Sequence, residues 1–394
     1  MKVLLRAPLL TNSGYGVHSR QIFEWLSERK DIELHVQCLM WGRCSWMINP
    51  DTDDGLVGKI MSHSRDPNSE KPYDVTYQVQ LPNEWDENLG KYNIGISAFV
   101  ETDKCNPGWI KHCNKMDEII VPSTFTKNVV KRSGILTVPI YTVPEWFNEN
   151  VIDYRNCEYT ISNDPRYNFD TDFNILVMGL LTSVNSTDDR KNLVNTLRWI
   201  METFEGNEEV GIVLKTCVGK STLNDKHICE KYLGEIIAKY RKTDFPKIHF
   251  VHGEMSSKEV AALYNHKKVK LFATATRGEG YGLPIIDAAA AGLPIVATNW
   301  SGHLEFLNKQ HFYNVDYDII KIPESKADGE IFLKDFRWSE PKKESFCSLI
   351  KHAYENYEKA QSNAKKLQKN VVKNFYKSEI KKKYNTIFNR KFKK

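Results

Sequence analysis

The chain reads as an α/β protein of two doubly wound halves with parallel sheets. Three observations predict this. Short apolar runs of strand type recur through both halves, helical stripes fall between them, and residues 145–172 lose all periodicity between the halves. At 394 residues and 41% hydrophobic content, the chain can bury two cores.

In the first half, Val3 to Arg6 predicts a strand. Tyr15 to Ser27 predicts a helix, with Val17, Ile22, Phe23 and Leu26 on its apolar face. Leu34–Cys38, Val75–Val79, Ile94–Phe99 and Glu118–Val121 are further strands. Ser123 has the character of an N-cap for a helix that stops at Gly134, and Ile140–Val143 follows as a strand. Residues 43–72, polar and rich in turn formers, are expected to be a long loop.

The second half restarts with a strand at Asn174–Met178 and a helical stripe of Leu193, Leu197, Ile200, Met201 and Phe204. Val210–Lys215, Ile248–Val251 and Val269–Thr274 are strands. Ser256 and Glu259 form a capping box for a helix to Tyr264. Ile286–Ala291 reads as a short helix, with Pro284 at its start and Gly292 just past its end, and LPIVAT is the strand after it. The expected division is 1–168, 169–345, and terminal helices over 346–394.

The termini and charge bound the setting. Lys2 and Arg6 leave only three apolar residues between them, too few for a secretion signal, and no run reaches the roughly 20 apolar residues of a membrane span. Eight scattered cysteines without CxxC spacing are expected to be reduced thiols in a cytoplasmic protein. Cys105, His112 and Cys113 lack the paired spacing of a zinc site and read as packing. Residues 359–394 hold thirteen Lys/Arg and one acid, Glu379, so this tail carries +12 of a net +5, leaving −7 elsewhere. Such a tail offers a contact for nucleic acid or an anionic membrane, unless it is a solvated helix face that packs through its aromatics.

The chemistry concentrates in TATRGEGYGLPIIDAAAAGLPIVATNW, Thr274 to Trp300. Strand, glycine-rich turn, helix and strand make a phosphate-binding arrangement, because free N–H groups at a helix N-terminus attract anions. Glycines 278, 280 and 282 let the backbone approach a ligand closely. Glu279 and Asp287 stand eight positions apart with Gly280-Tyr281-Gly282-Leu283-Pro284 between them.

This motif resembles the donor site of the retaining nucleotide-sugar glycosyltransferases of family 4, which show two glutamates around such a run. Here the second acid is Asp287, one methylene shorter. His249–Gly253 and Ser301-Gly302-His303 match the family's flanks. The resemblance extends over most of 172–345 and more loosely over the N-terminal half. It implies the GT-B fold, two Rossmann-like domains facing a central cleft, with the acceptor held by 1–168 and the nucleotide sugar by 169–345. It also implies that the last terminal helix crosses back to the first domain. The donor would be a UDP-, GDP- or ADP-sugar used as substrate, with no cofactor and no metal.

By the same resemblance Glu279 binds the donor sugar and Asp287 the ribose. Asp287 could equally complement the helix dipole from the first turn. Arg190 and Lys191, expected to open a helix, are the cations for the leaving diphosphate, or else solvated first-turn residues. Lys215 ends a strand as a third cation, unless it only extends to water. Gly14 and Gly16, in Ser13-Gly14-Tyr15-Gly16, match a loop that closes over the diphosphate, though a Gly-x-Gly without a third glycine is a weak signal alone. Glu101 and Asp103 resemble acceptor-side residues, or form an exposed acidic turn. The resemblance implies front-face transfer to a glycan, a lipid-linked precursor or modified DNA. Double displacement would need Glu279 as nucleophile. Two other readings remain: a glycosyltransferase-like binding module anchored by its tail, and a GT-B epimerase.

Overall fold

A computed structural model describes residues 1–153 and 161–392. Cys157, within the expected linker, and residues 393–394 of the tail lie outside them. Two compact units form: Met1–Trp146 with Asp328–Phe336 and Lys377–Lys394, and Phe147–Ala327 with Arg337–Tyr376.

The first unit is built on six parallel strands: β1 (Lys2–Ala7), β2 (Glu33–Cys38), β3 (Val75–Val79), β4 (Asn93–Ile96), β5 (Glu118–Val121) and β6 (Ile140–Thr142), ordered β2-β1-β3-β4-β5-β6. Every residue of β3, β4 and β5 is buried, as a sheet covered on both faces requires. The helices are α1 (Gly14–Ser27), α2 (Thr52–Ser62), α3 (Pro67–Glu70), α4 (Pro107–Cys113) and α5 (Thr124–Ser133), the last capped by Ser123 as expected.

Two local readings are corrected. The expected strand to Phe99 ends at Ile96, because the Ser97 hydroxyl accepts the Phe99 N–H and Phe99 itself takes φ +54°. The expected loop over 43–72 contains α2 and α3. Two apolar side chains, Val57 and Ile60, bury α2, while Asp53, Asp54 and Gly55 at its start have positive φ and break the pattern a sequence reading relies on. Helix α4 went unread. Cys105, just ahead of its N-cap Asn106, and Cys113, its last residue, pack with Trp109 and Ile110 in one apolar cluster.

The second unit holds β7 (Phe173–Met178), β8 (Val210–Lys215), β9 (Lys247–Val251), β10 (Val269–Thr274), β11 (Ile295–Thr298) and β12 (Tyr313–Val315), all parallel, in the order β12-β11-β10-β7-β8-β9. Numbered within the unit this is 3-2-1-4-5-6 read from β9, the dinucleotide-binding order, and its switch point lies between β7 and β10. The helices are α6 (Leu193–Thr203), α7 (Leu223–Tyr240), α8 (Ser257–Asn265), α9 (Leu283–Ala291), α10 (Lys343–Glu355) and α11 (Tyr357–Phe375). The capping box of Ser256 and Glu259 is formed at α8. An antiparallel hairpin, β13 (Tyr317–Lys321) with β14 (Arg337–Pro341), had no reading in sequence. Residues 147–153 and 161–168 belong to this unit, where Tyr167 donates to the Glu259 carbonyl and Asn148 to the Ser257 carbonyl.

The tail divides. Helix α11 stays in the second unit, and α12 (Lys377–Phe392) belongs to the first, seated there by Ile380, Tyr384 and Phe388. Tyr384 stacks on Trp25 at 4.8 Å between ring centres, and the Arg29 guanidinium lies 3.7 Å over Phe388. Among the described residues no helix is long and apolar enough to cross a membrane.

Candidate active site of the second unit

At the switch point, the loops after β7 and β10 meet. Arg190 and Lys191 lie on the turn before α6 rather than in its first turn as expected. The helix begins only at Leu193, because Asn192 takes φ +52° and anchors its amide to the Ala275 carbonyl. Asp189 shapes this turn: its carboxylate accepts from the backbone N–H of Lys191 at 3.0 Å and of Leu193 at 2.5 Å, and from the Thr182 hydroxyl at 2.7 Å.

The turn presents its cations to Glu279. Lys191 Nζ donates to both carboxylate oxygens of Glu279 at 2.7 Å. Arg190 Nη1 donates to the Gly278 carbonyl at 2.7 Å and stands 3.8 Å from the same carboxylate. Thr276 adds a hydroxyl at 3.1 Å, and the Glu279 N–H donates to Ser301 Oγ at 2.9 Å. Glu279 is 8% exposed. Burial alone would raise its pKa, yet Lys191 and Arg190 hold it below the ordinary value, so it is ionised.

The glycine loop is fixed from below. A Cβ on Gly302 would stand 2.0 Å from the Gly280 carbonyl oxygen, and the Gly302 N–H donates to the Glu279 carbonyl at 2.8 Å. Gly282, at φ +103°, caps α9, and Gly292, at φ +81°, ends it. Tyr281 is buried and packs edge-on against Phe306. Buried His303 binds the Thr298 carbonyl at 2.7 Å, and burial depresses its pKa.

Asp287 falls in the second turn of α9 rather than the first, because Gly282 and Pro284 start the helix at Leu283. The helix-dipole reading therefore loses its geometry. Its half-buried carboxylate accepts the Asn148 N–H at 2.8 Å, and desolvation pushes its pKa up to about 7. Lys215 donates to the Gly253 carbonyl at 2.6 Å; burial lowers its pKa. Arg190, Lys191 and Glu279 are thus brought into mutual contact, whereas Lys215 is engaged elsewhere at the strand ends.

In the first unit, Gly14 opens α1 and Ser13 Oγ caps it through the Gly16 N–H. Gly16 has a packing cause of its own, since a Cβ would stand 2.1 Å from the Thr11 carbonyl oxygen. Tyr15 donates to or accepts from Ser97 at 2.9 Å and stacks on Trp41 at 3.9 Å. Glu101 and Asp103 are half-exposed in the turns after β4.

Among the described residues, one group has metal-ligand character: Asp225, Cys229 and His252. It is satisfied as a hydrogen-bonded set. Asp225 accepts from His252 at 2.9 Å and from the N–H groups of Val218 and Lys220, which makes it a cap for the loop before α7. The residues that sequence reasoning missed are Asp189, Thr276, Arg277 and Glu340. Asp189, immediately before a basic pair and four residues before an apolar stripe, carried a legible capping signal; Glu340, 63 residues from Arg277, carried none.

Residues 230–316 match the family model "Glycosyl transferases group 1". No curated protein matches the sequence. Solved structures match the whole fold. Sucrose-phosphate synthase from Thermosynechococcus elongatus is 12% identical with TM-score 0.66, over 100% of this chain and 99% of that one. A glycosyltransferase from Rickettsia africae is 13% identical with TM-score 0.65, over 100% and 98%. Anabaena HepE, solved with UDP and glucose, is 11% identical with TM-score 0.60, over 99% of each chain. The fold is that of the GT-B glycosyltransferases, and the family match over the motif supports glycosyl transfer as the activity.

Proposed function

We propose that the chain is a retaining, metal-independent glycosyltransferase, moving a hexosyl or pentosyl group from a nucleotide-sugar donor to a hydroxyl acceptor. The observation that carries this reading is the cluster of Lys191, Arg190 and Glu279 beside a glycine loop at the switch point of the second sheet. Cations held there stabilise charge on a departing diphosphate, and the N–H groups opening α9, from Gly280 to Leu283, favour the same anion. Glu279, ionised and buried, then takes donor-sugar hydroxyls, and Asp287 the ribose. Lys215 serves as a further cation of the donor side.

Glu279 is already engaged by Lys191 through both oxygens, which suits a binding role better than that of a nucleophile. The departing phosphate oxygen would take the acceptor proton in a front-face transfer. Gly14 and Gly16 of the first unit are assigned to the diphosphate loop, and Glu101 and Asp103 to the acceptor. HepE, solved with UDP and glucose, favours UDP over GDP or ADP as the nucleotide. The acceptor classes are a glycan, a lipid-linked precursor or modified DNA, met in the cytoplasm or at a membrane surface. Exposed Lys359, Lys365, Lys366, Lys369 and Lys373 on α11 favour a polyanionic contact there.

The test is nucleotide release from a panel of UDP-, GDP- and ADP-sugars without acceptor. Hydrolysis of one donor supports the enzyme. Binding without any turnover, with acceptors supplied, supports the binding module. Neither binding nor release would end the nucleotide-sugar reading.

A further inference from the structure

Arg277 lies outside every role assigned so far, yet it joins three segments of the second unit. It is only 3% exposed. Its Nη1 donates to the carbonyls of Ser186 and Asp189, both at 2.7 Å, on the turn that carries Arg190 and Lys191. Its Nε and Nη2 fork onto the two oxygens of Glu340, on β14, at 2.6 and 2.9 Å. Its own N–H donates to the Arg190 carbonyl at 2.9 Å, and its carbonyl accepts from the Ser339 N–H and hydroxyl. Trp338 lies under the guanidinium at 5.5 Å.

A buried cation needs its partner, because an unpaired charge in the interior is costly. Glu340 therefore does more than neutralise Arg277. It fixes the plane of the guanidinium and thus where Nη1 points. The turn it points at has no regular hydrogen-bond ladder of its own, and its conformation includes the left-handed Asn192. Two carbonyls of that turn tied to one rigid fork leave little freedom to the residues that follow, and those residues are the two cations.

We propose that Arg277, oriented by Glu340, is a positioning residue: it sets the 186–191 turn so that Arg190 and Lys191 are presented to the donor diphosphate. The inference rests on the donor-site reading given above. Lysine cannot replace arginine here, since an ammonium has no fork to span the carboxylate and both carbonyls together. Glutamine at 340 keeps the shape but removes the charge.

Arg277→Lys, Glu340→Gln, Lys191→Ala and each double variant with Lys191→Ala are assayed for nucleotide release from the accepted UDP-sugar, with circular dichroism and melting temperature alongside. Glu340 is partly exposed, so its variant keeps the test alive if Arg277→Lys does not fold. Lys191→Ala alone tests the donor-site reading, and a near-native rate there sinks that reading together with this inference. With Lys191→Ala impaired, the expected result is a roughly 10- to 100-fold fall in kcat for Glu340→Gln or Arg277→Lys, with KM changed much less. The double variants should then lose less than the product of the two single losses, because the strap acts only through the cations and Lys191→Ala has already removed one of the two. Single variants at wild-type kcat, or losses that multiply in the doubles, would overturn the positioning role.

Discussion

The two units use glycine and charge differently. In the second, Gly302 and Gly282 hold a loop whose carboxylate is bound by lysine and flanked by arginine, all substantially buried. In the first, Gly16 answers to the Thr11 backbone, and Glu101 and Asp103 stand half-exposed on turns. A buried polar cluster is strained by any change in partner, so its residues are tightly specified. A half-exposed turn tolerates change. This contrast suits a donor side built around one anion and an acceptor side free to vary.

The strongest way to break the comparison is at the second unit's cluster. Glu279→Ala and Lys191→Ala should each lower turnover by about 10²–10³ with the fold retained, while Glu101→Ala should cost less. Rates for the three variants with an identified donor decide it, and equal losses would dissolve the contrast.

Next in size is Gly302→Ala. A Cβ set 2.0 Å from the Gly280 carbonyl must displace the loop, at a cost of about 1–3 kcal/mol or more by overpacking. Chemical unfolding measures it, and an unchanged midpoint would mean the loop is slack. Gly16→Ala meets a similar backbone oxygen in the first unit, so comparable instability there should come without the same loss of donor binding.

Asp287 supplies a smaller, pH-dependent effect. Its pKa, about 7 in the free protein, exceeds its ordinary 3.8, so the folded carboxyl keeps its proton where the unfolded one has lost it. Stability from this group therefore falls as pH rises from about 4 to 7. On the proposed ribose role, hydroxyls donating to the carboxylate favour its ionised form, so affinity for the accepted nucleotide sugar should rise with pH through about 7 and level off above it. Calorimetry between pH 5.5 and 8.5 should show that rise in the wild type and a flatter curve in Asp287→Asn. Asp287→Ala should raise KM more than it lowers kcat, and Asp287→Glu should be tolerated.

The least effect is expected at the tail. Lys381 is buried and paired with Glu28 at 2.7 Å, so it belongs to the packing of α12 rather than to a solvated basic face. The test falls instead on Lys365, Lys366 and Lys369 of α11. Replaced by glutamine, they should weaken DNA or anionic-vesicle binding and flatten its salt dependence, while turnover of a small acceptor is unchanged. Wild-type binding that ignores salt between about 50 and 200 mM would leave α11 a solvated face.

The sequence by itself determined the two α/β halves, since apolar runs of strand length between helical stripes can bury both faces only in covered parallel sheets. It also determined the glycine loop, the caps at Ser123 and Ser256, and Gly292 at the end of α9, because each is a local backbone requirement met by a local residue. Helix α2 escaped it where positive φ values interrupt the pattern, and the β13–β14 hairpin escaped it because its partners are far apart in the chain. Only the tertiary structure decided that Lys191 meets Glu279, that Asn148 reaches Asp287, and that Glu340 orients Arg277. Those pairs lie 88, 139 and 63 positions apart, and nothing in local propensity encodes which distant polar groups must share one buried volume.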